Sequence, residues 1–245
     1  MDVRIIHFYP GLMDLYGSRA NVLALERCLK ALGCGVTVEE VLPGGAVDLT
    51  GGDFFYMGAG TERSARFAME DFRRYGESLK AAAGEGADML FAGTAMDLIG
   101  KTVREADGSS YEGLGLGGFT TEHRGRRIVE DVYGHTDLFS GAVVGFTNKC
   151  GIVTGVETPL LTALDLGFGN EKERGPEGFH WKNVFASHLT GPILVKNPKM
   201  LETVVTALFS RRGEALPESL PKDEWAEKAY AVTEEQLRLR AQKQS

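Results

Sequence analysis

Ala87-Asp88-Met89-Leu90-Phe91-Ala92-Gly93-Thr94-Ala95-Met96-Asp97-Leu98-Ile99-Gly100 runs from an apolar stretch into small residues and then into a second apolar stretch. The first part reads as a buried strand, Ala87–Ala92. Gly93 to Ala95 then offers only small side chains, which a sharp turn demands, and a helix begins after them. Such an elbow between strand and helix holds one residue in a strained, exposed position beside backbone donors. Working outward, Val3–Phe8, Val36–Val41 and Asp53–Met57 read as three further short strands. Asn21–Leu32 and Arg63–Lys80 carry apolar residues at helical spacing, the first stopped by Gly33. Alternation of strand and helix implies an α/β fold, a mostly parallel central sheet flanked by helices. In such sheets ligands bind beyond the carboxyl ends of the strands. Two Gly-rich turns sit at those ends: Gly58-Ala59-Gly60, and Gly93 with Thr94 and Ala95.

From Gly113 to Thr158 the pattern shifts to short strands and turns, with period-two stretches at Arg127–Val132 and Ala142–Phe146. This predicts an antiparallel section grafted on the same sheet. Val184–His188 predicts a late strand, Pro198–Arg211 a helix, and Asp223–Gln242 a charged helical tail after the segment Leu216–Pro221. Neither repeat nor low-complexity linker divides the chain. The expectation is one domain over residues 1–212, with residues 213–245 as a helical tail packed on it.

Composition narrows the function. A net charge of −7 argues against a general nucleic-acid binder, which needs a basic patch or stripe. The N-terminus lacks the basic-then-apolar pattern of a signal peptide, and no apolar run approaches the roughly 20 residues that span a bilayer. Cys28, Cys34 and Cys150 are odd in number and follow no zinc spacing, so the expectation is a reduced cytoplasmic protein without metal or other cofactor.

On the residues alone, the two Gly-rich turns either cradle an anion through backbone N–H groups or are merely tight turns. Thr94 is the first side chain with chemistry at the elbow. His188, in Ala186-Ser187-His188-Leu189-Thr190-Gly191-Pro192, is either structural or a base. Arg127 is suited to a bidentate carboxylate, or is simply solvated.

The opening Phe8-Tyr9-Pro10-Gly11-Leu12-Met13-Asp14-Leu15-Tyr16-Gly17-Ser18-Arg19-Ala20-Asn21 resembles the start of the CobB/CobQ-type class I glutamine amidotransferases. Within them it is most similar to the GatD-type subunits of lipid II isoglutaminyl synthase. The likeness continues in order through Asp131-Val132, Gly145-Phe146-Thr147-Asn148, Gly167-Phe168-Gly169-Asn170, Lys182-Asn183-Val184 and Gly191-Pro192-Ile193-Leu194, then Lys196-Asn197-Pro198. It covers essentially the whole chain. The resemblance implies a flavodoxin-like class I architecture and a heterodimer with a MurT-like Mur-ligase-family subunit that amidates the peptidoglycan precursor lipid II. It also implies a glutaminase whose cysteine attacks the glutamine side-chain amide with help from a histidine.

The departures fall on the chemistry. The family's elbow runs approximately C-G-G-Y-Q-L-L-G, which places the nucleophile position on Gly93. Its second motif, approximately Y-L-H-G-P, places the histidine position on Thr190. The GGGQ turn corresponds to Gly58-Ala59-Gly60-Thr61, whereas the arginine for the glutamine α-carboxylate is matched by Arg127. The expectation is therefore a subunit degenerate as a glutaminase. Two alternatives stand beside it: a redirected hydrolase with Thr94 as nucleophile and His188 as base, or a binding module for an amino acid at Gly58, Ala59, Gly60 and Arg127. Period two places residues 188 and 190 on one strand face, which would turn His188 towards the site.

Overall fold

The computed structural model describes residues 1–216 and 220–244, so the middle of the expected Leu216–Pro221 segment lies outside the described residues. In chain order the elements are β1 (Asp2–Phe8), α1 (Ala20–Ala31), β2 (Gly35–Val41), β3 (Phe54–Met57), α2 (Glu62–Phe72), α3 (Gly76–Gly84), β4 (Asp88–Ala92) and α4 (Ala95–Ile99). Then come β5 (Thr102–Arg104), β6 (Ser110–Glu112), β7 (Thr120–His135), β8 (Ala142–Thr154), β9 (Ala163–Leu166), β10 (Phe179–Trp181), β11 (Val184–Ser187) and β12 (Leu189–Thr190). Helices α5 (Ile193–Lys196), α6 (Pro198–Arg211) and α7 (Glu224–Gln244) close the described chain.

Two sheets form. The first has the order β10-β11-β4-β3-β1-β2 and is parallel throughout except for the β10–β11 pair. Its central strands β3 and β4 are buried on both faces, as helix-covered parallel strands are, whereas the edge strand β2 exposes Thr37 and Glu40. Along β3, Phe55 and Met57 join the core under α2 and α3, while Phe54 and Tyr56 join the core under α1 and α6. In β4, Met89 and Phe91 go with the first set and Leu90 and Ala92 with the second. A one-residue slip would exchange every partner across the sheet, so packing fixes the register.

The antiparallel section is not grafted on this sheet. It builds a second one, ordered β12-β8-β7-β5-β6, with β9 also on β7. The long β7–β8 hairpin forms its spine, with its register shifted between His123 and Ile128. Arg127 lies in that shift, where the strand bends. The expected helix over Arg63–Lys80 is likewise two helices, α2 and α3, joined by a tight turn at Arg73–Tyr75. The second helix starts at Gly76, a poor helix former buried against Leu114. Helix α2 itself starts cleanly: the Thr61 side chain accepts the Ser64 N–H at 3.0 Å, an N-cap bond.

The tail helix α7 packs on the second sheet. Leu237 and Ala241 are buried with Tyr133, Ala142, Val144 and Leu166, and Tyr230 packs against them. No helix among the described residues is long and apolar enough to cross a membrane.

Candidate functional site

The carboxyl ends of β3 and β4 meet at the two Gly-rich turns. Gly93 follows β4 with φ +62°, the left-handed conformation an elbow imposes. The Gly93 N–H donates to Ser187 C=O at 2.8 Å, which ties the elbow to β11. A Cβ at Gly93 would stand 2.6 Å from the Ala59 Cβ and 3.3 Å from the Thr190 methyl. Positions 93 and 190 therefore face one another, and the methyl of Ala59 fills the space in which a side chain at 93 would begin. Position 59 alone in its turn admits that methyl. A Cβ at Gly58 would strike Ser18 and the Met13 carbonyl, and one at Gly60 would strike the Met13 sulfur.

Two backbone donors of this turn, those of Ala59 and Gly60, are already engaged. Ala59 N–H donates to the Ser18 hydroxyl at 3.1 Å. Gly60 N–H donates to Thr94 Oγ1 at 2.9 Å, while the Thr94 hydroxyl donates back to the Gly60 carbonyl at 3.1 Å. This pair of bonds staples the end of β3 to the elbow. The hydroxyl proton of Thr94 is committed within the fold, and Thr190 Oγ1 likewise donates to Phe146 C=O at 3.2 Å.

Beside the elbow lies a cavity of about 300 Å³, walled by Tyr16, Ala59, Thr94, Thr190, Glu62 and Arg127. At its lip Arg127 donates to Glu62 Oε1 at 2.6 Å and to Asn148 Oδ1 at 2.9 Å. Asn148 in turn donates to the Tyr16 hydroxyl at 2.7 Å. Burial would raise the Glu62 carboxyl, yet the start of α2, Arg127 and the Cys150 thiol hold it below the usual range. The Cys150 Sγ lies 3.3 Å from Glu62 Oε1, and burial with that carboxylate pushes its thiol up to about 12. Thiolate chemistry is thereby suppressed at the cysteine nearest the cavity.

His188 and Thr94 are given separate partners. Strand β11 ends at Ser187, and Leu189–Thr190 belongs to the second sheet, so residues 188 and 190 do not continue one strand face. His188 turns beneath the elbow, where its Nε2 pairs with Asp97 Oδ1 at 2.8 Å and its backbone N–H donates to Glu177 Oε1 at 2.7 Å. Asp97 sits in α4 and also takes the Thr121 hydroxyl at 3.0 Å and His123 Nε2 at 3.4 Å. His123 Nδ1 continues to Glu105 at 2.9 Å. Burial would raise Asp97, but the two histidines hold its carboxyl well below the carboxylate range. Burial would lower His123, but Asp97 and Glu105 lift it to about 9. This buried hydrogen-bonded network supports the elbow from below, and neither its spacing nor its residue types announced it in the sequence. The one signal was an aspartate in an otherwise apolar helix, Ala95–Ile99.

Residues 4–198 match the CobB/CobQ-like glutamine amidotransferase domain. The chain belongs to that family. Two curated relatives carry the likeness along most of the sequence. The GatD subunit of lipid II isoglutaminyl synthase (glutamine-hydrolyzing) from Staphylococcus aureus strain N315 is 30% identical over 212 residues, 86% of each chain. The corresponding subunit from Streptococcus pneumoniae strain ATCC BAA-255 / R6 is 30% identical over 214 residues, covering 86% of this chain and 82% of its own. Among solved structures, a glutamine amidotransferase crystal structure superposes with a TM-score of 0.52 at 15% identity. It covers 83% of this chain and 98% of its own, and it agrees in fold. Within this CobB/CobQ-like frame, Gly93 occupies the elbow at the end of β4. Among the described residues no cluster of histidine, cysteine and acidic side chains is arranged to hold a metal ion.

Proposed function

We propose that this chain is a GatD-like subunit that works with a MurT-like Mur-ligase-family partner in amidating the peptidoglycan precursor lipid II in the cytoplasm, and that it does not hydrolyse glutamine. The observation that carries the second half is the elbow. Gly93 has no side chain, and the methyl of Ala59 stands where one would start. Acyl transfer from an amide needs a nucleophile there and free donors for the oxyanion. The N–H groups of Ala59 and Gly60 are bonded within the fold. Support for the first half is likeness over 86% of the chain to two subunits of a ligase assembly. The face for the partner is the mouth of the cavity. Exposed Leu15 and Tyr16 line it together with Arg127, and aromatic and arginine anchors are what interface cores favour.

Co-expression with the Mur-ligase-like protein of the same genome, followed by size-exclusion chromatography, tests the pairing: one peak holding both chains is expected. The purified pair should release no ammonia from glutamine and should amidate its substrate only when an ammonium salt is supplied. Separate elution at micromolar concentration overturns the pairing. Glutamine turnover of the usual enzyme order, roughly 1 per second, overturns the loss of hydrolysis. A second reading rests on Arg127 and Glu62. Their opposite charges at one lip suit the carboxylate and ammonium of a free amino acid, and titration calorimetry with glutamine tests it.

A further inference from the structure

The outer edge of β7 is covered at both ends and open between them. Strand β5 pairs with it over Thr120–Glu122 and β9 over Tyr133–His135, but from Ile128 to Asp131 it pairs with β8 alone. The bonds that β8 makes elsewhere show which groups face this gap. Val144 N–H donates to Asn197 Oδ1 at 2.8 Å, and Asn197 Nδ2 donates back to Val144 C=O at 2.9 Å. Phe146 C=O accepts the Thr190 hydroxyl, and Asn148 C=O accepts the Arg127 guanidinium. Residues 144, 146 and 148 therefore turn their main chains away from β7. In an antiparallel ladder the two residues of a pair turn towards each other or away together. Their pair mates Tyr133, Asp131 and Val129 turn away from β8 accordingly. Tyr133 meets β9 there. Among the described residues nothing takes the N–H or C=O of exposed Val129, or the N–H of Asp131.

These groups line a cavity of about 590 Å³. Val129, Phe146 and Leu166 are its apolar lining, and Glu173, Arg174 and Arg240 its charged lining. Gly167 closes one end, where a Cβ would stand 2.6 Å from the Asp131 carbonyl oxygen. Arg174 donates to the Gln244 carbonyl at 2.7 Å, which joins the loop after β9 to the end of α7 beside the cavity. We propose that this gap is a strand-docking site: an extended segment of the Mur-ligase-like partner adds to the edge of β7 between β5 and β9, with an apolar side chain against Val129 and Phe146. The proposal rests on reading the neighbouring cavity mouth as the ligase face. Three observations select the occupant. Unpaired main-chain groups at two-residue spacing are matched by another extended chain, which adds as one more strand. A second copy's β7 does not reach them, because both edges lie recessed behind their own loop and α7 end. The gap also opens onto the mouth already assigned to the ligase. Asn148, the ladder mate of Val129, lines the smaller cavity, and the Phe146 ring meets Tyr16 edge to face at 5.6 Å. Four residues of open edge span about 13 Å, room for one short segment.

Hydrogen exchange on the full chain, alone and with the Mur-ligase-like protein of the same genome, reads the pairing directly. In the free chain the amides of Val129 and Asp131 should exchange rapidly, and in the complex they should slow at least about a hundredfold. Val129→Pro supplies the matching variant. It removes an N–H that makes no bond to β8, and proline is accepted on a strand edge whose N–H faces outward. It should weaken the complex at least about tenfold with an unchanged thermal midpoint, whereas Val129→Ile, which keeps the N–H, should bind as before. Where Val129→Pro disturbs the fold, exchange on the natural sequence still decides. A complex in which both amides exchange as fast as in the free chain overturns the proposal. So does a complex of unchanged affinity with Val129→Pro. Two natural chains that elute separately overturn the ligase reading as well, whereas a complex that forms without protecting Val129 overturns this inference alone.

Discussion

A methyl group decides what the elbow can hold. Ala59 and Gly93 face each other across the ends of β3 and β4, and a Cβ on Gly93 would stand 2.6 Å from that of Ala59. Gly93→Ala should therefore destabilise the chain twice over. A non-glycine residue at φ +62° costs about 1–3 kcal/mol in backbone strain, and overpacking adds about 1–3 kcal/mol. Ala59→Gly in the same chain should return the second part and leave the first. Urea unfolding of the two single variants and the double variant closes the cycle, with an expected coupling of about 1–3 kcal/mol. Strictly additive effects would show that the methyl contact carries no energy. The same contact explains why Gly93→Cys with Thr190→His should fail to restore glutamine hydrolysis unless Ala59→Gly accompanies them. Part of this was legible in the sequence: the elbow and its small residues were read from the pattern, while Thr190 was marked only through the family resemblance and its place opposite Gly93 comes from the fold. The blocking role of Ala59 was not, because it depends on a distance between two strand ends that lie 34 positions apart in the sequence.

Helix α4 owes its hold to one acid. Asp97 gathers His188, His123 and Thr121 from β7 and the β11–β12 link, and His123 passes the contact to Glu105. Asp97→Ala should cost about 3–5 kcal/mol, since it leaves buried partners without their counter-charge. The network also gives stability a pH signature. His123 is raised from 6.5 to about 9, so between those values the folded chain keeps a proton the unfolded chain has released. Its stabilising share is complete below pH 6.5 and is lost as pH climbs to about 9. Asp97 is depressed, so its share is present above the ordinary carboxylate range and is lost on acidification. His123→Gln should flatten the alkaline slope of chemical-denaturation midpoints measured from pH 6 to 10, and an unchanged slope would remove His123 from this role. At this scale the sequence was a partial guide. Strand and helix periods located β1 to β4 because β3 and β4 are short apolar runs bounded by turns, β1 is largely apolar and β2 alternates. Period two in β7 and β8 named strands without saying which sheet they join, since alternation looks the same in either. The break after Ser187 was hidden for a related reason: Val184 to Thr190 is one uninterrupted run of strand-compatible residues, and only the hydrogen-bond partners show that it changes sheets.

The molecule as a whole is two sheets with a helix across the second. Removing residues 223–245 should uncover Tyr133, Val144 and Leu166 and lower the thermal midpoint by several degrees, since the loss of each 1 kcal/mol shifts a domain of this size by about 2–4 °C. An unchanged midpoint would mean that the tail rides on the domain without supporting it. A different consequence follows from the lip of the cavity. Cys150 is held as a neutral thiol against Glu62, and Cys28 and Cys34 are buried with their thiols also raised. Alkylation and peroxide oxidation both require an accessible thiolate. Iodoacetamide at neutral pH should leave the folded chain unmodified by mass spectrometry while the urea-unfolded chain takes up three groups, one for each cysteine. An amidotransferase that works through a cysteine is silenced by the first electrophile to reach it. If the elbow lacks a nucleophile as proposed, an alkylating agent leaves the thiols of the folded chain alone, and any ammonia-fed amidation it supports should persist through that treatment.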